Sequence, residues 1–269
     1  MTIIRTRWVL LLSALALSGL AAMARQPKKV DSRALRKPLA TEWVTYGRDY
    51  AETHFSPLKQ IDTTNVKRLG LAWTWETASP AGANVEATPL MFNGILYGSL
   101  AWDVMFAVDA RTGTCKWRWD PEIPHEYTRN LCCGAVNRGV ALYDGKVYEG
   151  LLDGTVVAVD QETGQPVWRT RVTNDTDLLL TAAIRVIKGK VIVGSSGADQ
   201  AVRGFFAALD AETGKEVWRF WTVPGDPSKP FEHPELKEAA KTWTGEWWKF
   251  GGGGTAWDGM AYDPAADIL

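Results

Sequence analysis

Cysteine is scarce in this 269-residue chain: there are three, Cys115, Cys132 and Cys133, and two of them are adjacent. No Cys-x-x-Cys-His occurs, which excludes a covalently attached c-type haem within this sequence. Basic charge has no surplus, with 30 Lys and Arg against 31 Asp and Glu, so nothing favours a nucleic-acid partner. Beyond residue 24 no apolar run is long enough to span a bilayer. No apolar 3.6-residue periodicity fills the chain either, which excludes leucine-rich and helical-repeat solenoids. The glycine run Gly251 to Gly254 is followed by neither Lys-Ser/Thr nor a helical pattern, so it is not a nucleotide phosphate loop.

The first 24 residues have the order of a secretory signal peptide. Arg5 and Arg7 precede an apolar run from Trp8 to Leu17, and Ala22-Met23-Ala24 fits the small-x-small cleavage rule. The run is too short to be a membrane span. Processing near Arg25 removes two arginines and no acid, leaving 28 basic against 31 acidic side chains and a net charge of −3. Export would make disulfides permissible.

What the chain has in abundance is tryptophan, 14 residues, and three of them close one repeated phrase. AVDARTGTCKW (Ala107 to Trp117), AVDQETGQPVW (Ala158 to Trp168) and ALDAETGKEVW (Ala208 to Trp218) each read as strand, Asp/Thr-Gly turn, strand. A second hairpin precedes each: MFNGILYGS (Met91 to Ser99), LYDGKVYEG (Leu142 to Gly150) and VIKGKVIVG (Val186 to Gly194). Four short antiparallel strands per period of about 50 residues is the blade of a β-propeller. The fold class is therefore all-β, a partial propeller of tandem Trp-motif blades amounting to about half of an eight-bladed ring. Residues 25–75 are expected to form a lead-in segment with the last strand of a neighbouring blade. Residues 76–269 are expected to hold three complete blades and the start of a fourth from Gly251.

Blade alignment locates a functional face. Counting eight residues back from the hairpin glycines Gly94, Gly145 and Gly189 lands on Glu86, Asn137 and Thr181, each where the chain enters an innermost strand, with Arg138 beside the second. The third blade carries six extra residues in SSGADQAVRG, Ser195 to Gly204, in a loop that opens on the same face. An insertion confined to one loop of a repeat fold marks a binding face. Glu86, Arg138, Thr181 and Asp199 thus converge on one mouth of the central channel. Cys132-Cys133 lies in the loop before Arg138, either as two buried thiols or as a strained vicinal disulfide offering a hard, flat surface. After the four glycines, Trp257 reaches the same register, either as a packing residue or as the opposite wall of a slot for a planar ligand.

These segments, in the order GRDYAETHFSPLKQI, VEATPL, CCGAVNRGVALYDGKVYEG, SSGADQAVRG, TVPGDP and GGGGTAWDGMAYDP, resemble the N-terminal half of the pyrroloquinoline quinone (PQQ)-dependent alcohol dehydrogenases, over about Trp43 to Leu269. The resemblance implies a primary alcohol oxidised to an aldehyde by hydride transfer to metal-polarised PQQ, with a periplasmic cytochrome c as electron acceptor. It also implies that PQQ lies between a vicinal disulfide, here Cys132-Cys133, and a tryptophan, here Trp257. Glu86, Arg138, Thr181 and Thr255 match the family's polar PQQ contacts, and Ser196, Gly197 and Ala198 match the stretch beside the quinone. The family's Ca²⁺-ligating Glu is replaced by Asp199, which keeps a hard oxygen but shortens its reach and leaves Ca²⁺ or a lanthanide open. The family's catalytic Asp base falls beyond the point matching Leu269, so the truncated chain is expected to be inactive alone. A non-catalytic scaffold propeller built on the same Trp repeat is the alternative.

Overall fold

In the computed structural model, which describes residues 29–79, 84–131 and 133–269, twelve strands form three four-stranded antiparallel sheets. The secretory leader expected over residues 1–24 lies outside the described residues. The first sheet comprises β1 (Leu90–Phe92), β2 (Ile95–Ser99), β3 (Met105–Asp109) and β4 (Cys115–Trp119). The second comprises β5 (Ala141–Tyr143), β6 (Lys146–Gly150), β7 (Thr155–Asp160) and β8 (Pro166–Arg171). The third comprises β9 (Arg185–Ile187), β10 (Lys190–Gly194), β11 (Phe205–Asp210) and β12 (Glu216–Trp221). Neighbours in sequence are neighbours in each sheet, which is the meander of a propeller blade. Among the described residues no helix is long and apolar enough to cross a membrane.

Two turns per blade set this register. The inner hairpins turn on Asn93-Gly94, Asp144-Gly145 and Lys188-Gly189, and all six residues have positive φ. Two consecutive left-handed residues make the turn whose twist matches the strands it joins. In the outer hairpins Asp109, Asp160 and Asp210 each accept backbone N–H groups two and three residues on, closing the Asp-x-x-Thr-Gly turn. A bulge follows the alanine of each phrase, between Ala107 and Val108, Ala158 and Val159, and Ala208 and Leu209.

The repeated tryptophan joins one blade to the next. The indole N–H of Trp117 donates to Gln161 O at 3.0 Å, and that of Trp168 to Ala211 O at 3.2 Å. The glycine of the following turn lies flat under each ring: a Cβ on Gly164 would sit 2.6 Å from Trp117, and one on Gly214 2.6 Å from Trp168. Thr-Gly in the motif thus serves both the turn and the indole stacked on it. Trp73, in the extended segment expected to close a neighbouring blade, makes the same contact, donating to Ala110 O at 3.1 Å over Gly113. That segment pairs with no strand among the described residues.

The lead-in contributes α1 (Ser32–Arg36), capped by the Asp31 carboxylate, and packs Val30, Leu35 and Val44 into the core. Its bridge from Trp43 to Met91 extends the first sheet inward, and Glu52 pairs with the buried Arg185 of β9 at 2.8 Å. Where a fourth blade was expected to start, the described residues form isolated bridges only, Arg203 to Gly253 and Asp263 to Ile268. Gly251 to Gly254 all have positive φ, which a β-strand cannot accommodate.

Candidate active site

The innermost strands begin at one end of the three blades and are stitched together there. Thr88 N donates to Arg138 O at 3.3 Å, and Arg138 N donates to Thr181 O at 3.1 Å. Gly139, at φ 127°, lets the second blade approach the first: a Cβ there would lie 3.3 Å from Thr88 O. The side chain of Arg138 is consequently held on three sides. Nη2 pairs with Glu86 Oε2 at 3.0 Å, and Nη1 donates to Thr181 Oγ1 at 3.1 Å and Thr181 O at 3.2 Å. Its guanidinium carbon stands 4.7 Å above the Trp257 ring.

The inserted loop of the third blade supplies the adjoining wall. Ser196 pairs through its backbone with Leu179, and its hydroxyl donates to Leu179 O at 2.9 Å. Gly197 has φ 109°, and a Cβ there would meet Asp177 O at 2.0 Å, so no other residue fits. The glycine run lies directly on this blade: a Cβ on Gly194 would come 2.1 Å from Ala256 O, and one on Gly204 2.3 Å from Gly254 O. This close overlay carries Trp257 to the mouth.

Between these parts is a cleft of about 320 Å³, lined by Leu131, Cys133, Gly134, Val136, Arg138, Leu179, Thr181, Ser196, Gly197, Ala198, Asp199 and Trp257. The structure therefore brings together most of the residues singled out in the sequence. Glu86 and Thr255 do not line the cleft: Glu86 reaches it through Arg138, and the buried Thr255 hydroxyl has no hydrogen-bond partner. Cys132 lies outside the described residues, as does its pairing with Cys133. Asp199 is the carboxylate of the lining. Among the described residues no cluster of three or more His, Cys, Asp or Glu side chains is assembled to hold a metal ion.

Sequence reasoning missed what lies behind the mouth. Asn137, grouped with the mouth by register, is buried and turned away from the cleft, donating to Asp103 Oδ1 at 3.0 Å and Gly150 O at 2.7 Å. Asp103 also accepts from Leu152 N at 2.6 Å. Burial pushes the Asp103 carboxyl up to about 7, against the pull of those hydrogen bonds and with Asp153 adding repulsion. Glu149 of β6 is buried beside it and is raised well above the carboxylate range, by burial first and by Asp103 second. Neither acid sits in a recognisable motif. The one available signal was a glutamate at an inward position of β6.

A fixed guanidinium, an indole face, a sulfur-bearing loop, small residues and one free hard oxygen suit a flat, anionic, carbonyl-rich molecule. The unpartnered Thr255 hydroxyl adds a donor close to the same blade. Comparison with known proteins agrees. Residues 43–269 match the PQQ glucose/ethanol/alcohol dehydrogenase β-propeller domain. A curated relative, quinohemoprotein alcohol dehydrogenase ADH IIB of Pseudomonas putida, is 51% identical over 99% of the chain, which spans 38% of that relative's length. The solved quinohemoprotein alcohol dehydrogenase ADHIIG of Pseudomonas putida HK5 superposes with a TM-score of 0.85 at 45% identity, over 90% of this chain and 36% of that one. A europium-containing methanol dehydrogenase superposes with a TM-score of 0.77 at 34% identity, over 87% of this chain and 42% of that one.

Proposed function

The chain belongs to the PQQ glucose/ethanol/alcohol dehydrogenase β-propeller family, and from that membership we propose that it forms the cofactor-holding part of a periplasmic PQQ-dependent alcohol dehydrogenase. The observation that carries this reading is Arg138, pinned by Glu86 and Thr181 against Trp257 at the rim of the cleft. PQQ supplies hydride-accepting chemistry when bound. The chain's own residues bind and orient it. Arg138 would take a cofactor carboxylate through the planar fork that suits such groups. Trp257 would cover one face and the Cys132-Cys133 loop the other, with Ser196 to Ala198 and the Thr255 hydroxyl at the edge. Relatives of this identity named as alcohol dehydrogenases favour this reading over a non-catalytic scaffold. A small primary alcohol as substrate and a cytochrome c as electron acceptor belong to the same proposal.

Asp199 would give one oxygen to Ca²⁺ or a lanthanide, and so requires further ligands, since Ca²⁺ takes about six to eight oxygens. Tryptophan fluorescence should be quenched on addition of PQQ, more strongly when Ca²⁺ or europium is present, and Asp199→Ala should lose the metal dependence while still binding PQQ. Asp199→Glu, with its longer reach, should shift the preference between the two ions. Quenching in Asp199→Ala that still responds to metal as in the parent would place the ion elsewhere. Absence of quenching under every condition would overturn the cofactor assignment.

The sulfur wall has its own check. Peptide mapping of unreduced periplasmic protein should give one peptide containing Cys132 and Cys133 that is lighter by two hydrogens than its reduced form. Two alkylatable thiols in that peptide would remove the disulfide from the reading.

A further inference from the structure

We propose that Asp103 and Glu149 share a single proton in a dry compartment behind the cleft and that, through Asn137, this shared proton fixes Arg138 for cofactor capture. The inference rests on the function proposed above. The two carboxyls come from adjacent blades, Asp103 from the β2–β3 loop and Glu149 from β6, and both are fully inaccessible to solvent. Two neighbouring buried carboxylates cannot both ionise without a heavy desolvation and repulsion penalty, so the pair holds a proton where isolated acids would have lost it.

The hydrogen bonds assign the two roles. Asp103 is met by donors, Leu152 N and Asn137 Nδ2, and is the charged member. Both oxygens of Glu149 are buried with no partner at hydrogen-bond geometry, and the neutral Ser99 hydroxyl, the one donor acting on the carboxyl, pulls less than burial and Asp103 push, an arrangement tolerable for a neutral acid and not for an anion. Of the surrounding cations Arg169 draws on Asp103, but less than burial, the two hydrogen bonds or Asp153 act on it. Asp153, beside Leu152, engages Arg169 at 2.8 Å and Arg171 at 3.2 Å, and Arg138 is paired with Glu86. The Ser99 hydroxyl, 3.5 Å from Asn137 Oδ1, is neutral, and His125 is stacked on Trp102 at 4.1 Å.

The compartment is built at a conformational cost. Trp102 and Asp103 both have left-handed φ, 65° and 57°, which L residues rarely adopt in succession. The stack on His125 and a hydrogen bond from Trp102 N to Ala135 O at 3.0 Å hold this turn against the loop that leads into the cleft wall. Asn137 then spends its amide on Asp103 and Gly150, and its carbonyl on Gly139 N at 3.0 Å. Arg138 sits between Asn137 and Gly139, so its backbone is fixed from both neighbours. Rising pH removes the shared proton, the second charge repels Asp103, and the anchor of Asn137 is lost. Because the folded state holds this proton more tightly than the unfolded chain does, the effect appears as pH increases.

Equilibrium binding of PQQ to the purified protein, followed by tryptophan quenching from about pH 6 to about pH 9, should weaken by about tenfold across the upper part of that range. Glu149→Gln, shaped like the protonated acid, should bind PQQ as the parent does at low pH and show no such dependence. Asn137→Ala should bind weakly at every pH, while its thermal midpoint keeps the parent's pH dependence because the carboxyl pair is intact. An infrared carbonyl band of a buried protonated carboxyl, lost in Glu149→Gln, reads the proton without cofactor. If Glu149→Gln does not fold, Glu149→Leu serves the same comparison, since it likewise removes the proton site and leaves Asp103 to hold Asn137 and Leu152 N. Parent-like pH dependence in Glu149→Gln, or no such band at neutral pH, would overturn the inference alone. No PQQ binding at any pH would overturn the proposed function, and with it the role of Arg138 here.

Discussion

Replacing Arg138 by alanine is expected to weaken PQQ binding on the order of a hundredfold. The side chain is 16% exposed and its partner Glu86 35%, so the pair is partly desolvated and truncating one member strands the other. For binding, the pair lost is that of Arg138 with the cofactor carboxylate, a truncation that costs about 2–5 kcal/mol, and the partial exposure of the guanidinium and of Glu86 places it toward the lower part of that range. At about 1.4 kcal/mol per tenfold, a loss near 3 kcal/mol gives that hundredfold. The same change frees the Thr181 hydroxyl and removes the cation from the Trp257 face. Arg138→Lys should recover part of the affinity, since it keeps the charge but cannot meet Glu86 and both Thr181 oxygens at once. Fluorescence titration with PQQ measures all three proteins. A change below about threefold in Arg138→Ala would remove the guanidinium from cofactor recognition.

Trp117→Ala is expected to be the most damaging core substitution among the repeated tryptophans. Its ring is buried, lies on Gly164 and donates to Gln161 O, so truncation leaves a large cavity and an unsatisfied carbonyl between two blades. Removing such a side chain costs about 3–5 kcal/mol. For a protein of this size that corresponds to a fall of about 10 °C in Tm. Trp218 carries the same motif position but is 38% exposed, and Trp218→Ala should cost less than about 1 kcal/mol. Denaturant melts of the two variants test the contrast. Equal losses would mean that the indole-on-turn contact is not what joins the blades.

The blade architecture was legible because its turn chemistry is spelled out in each repeat. Asn-Gly, Asp-Gly and Asp-x-x-Thr-Gly demand positive φ or side-chain capping at fixed positions, and the strands between them had no other register open. The mouth was legible in part for the same reason: Thr181 and Arg138 lie at or one residue from the same distance before their hairpin glycines, while Asp199 was marked by the insertion in the third blade, and all three line the cleft. Asn137 marks the register but turns inward, because successive strand residues face opposite ways and its neighbour Arg138 takes the cleft. The Asp103 and Glu149 pairing was invisible, since it depends on how two blades splay rather than on either sequence alone. At the expected start of a fourth unit the glycines lie against the third blade, and the described residues beyond them form isolated bridges.

The tryptophan contacts also separate the segment that recurs in the sequence from the segment that unfolds as one. Each indole belongs by chain to one blade and by packing to the next, so a cut at the repeat boundary severs an anchor from its seat. Cooperative units in such an array are therefore shifted by one outer strand from the genetic ones, and every joint has the same polarity, with the anchor on the earlier segment and its seat on the later one. A duplication of the 50-residue unit would insert a new seat and a new anchor together, leaving every existing junction complete. This one-way joint makes the fold extensible by whole repeats and sensitive to fractional ones.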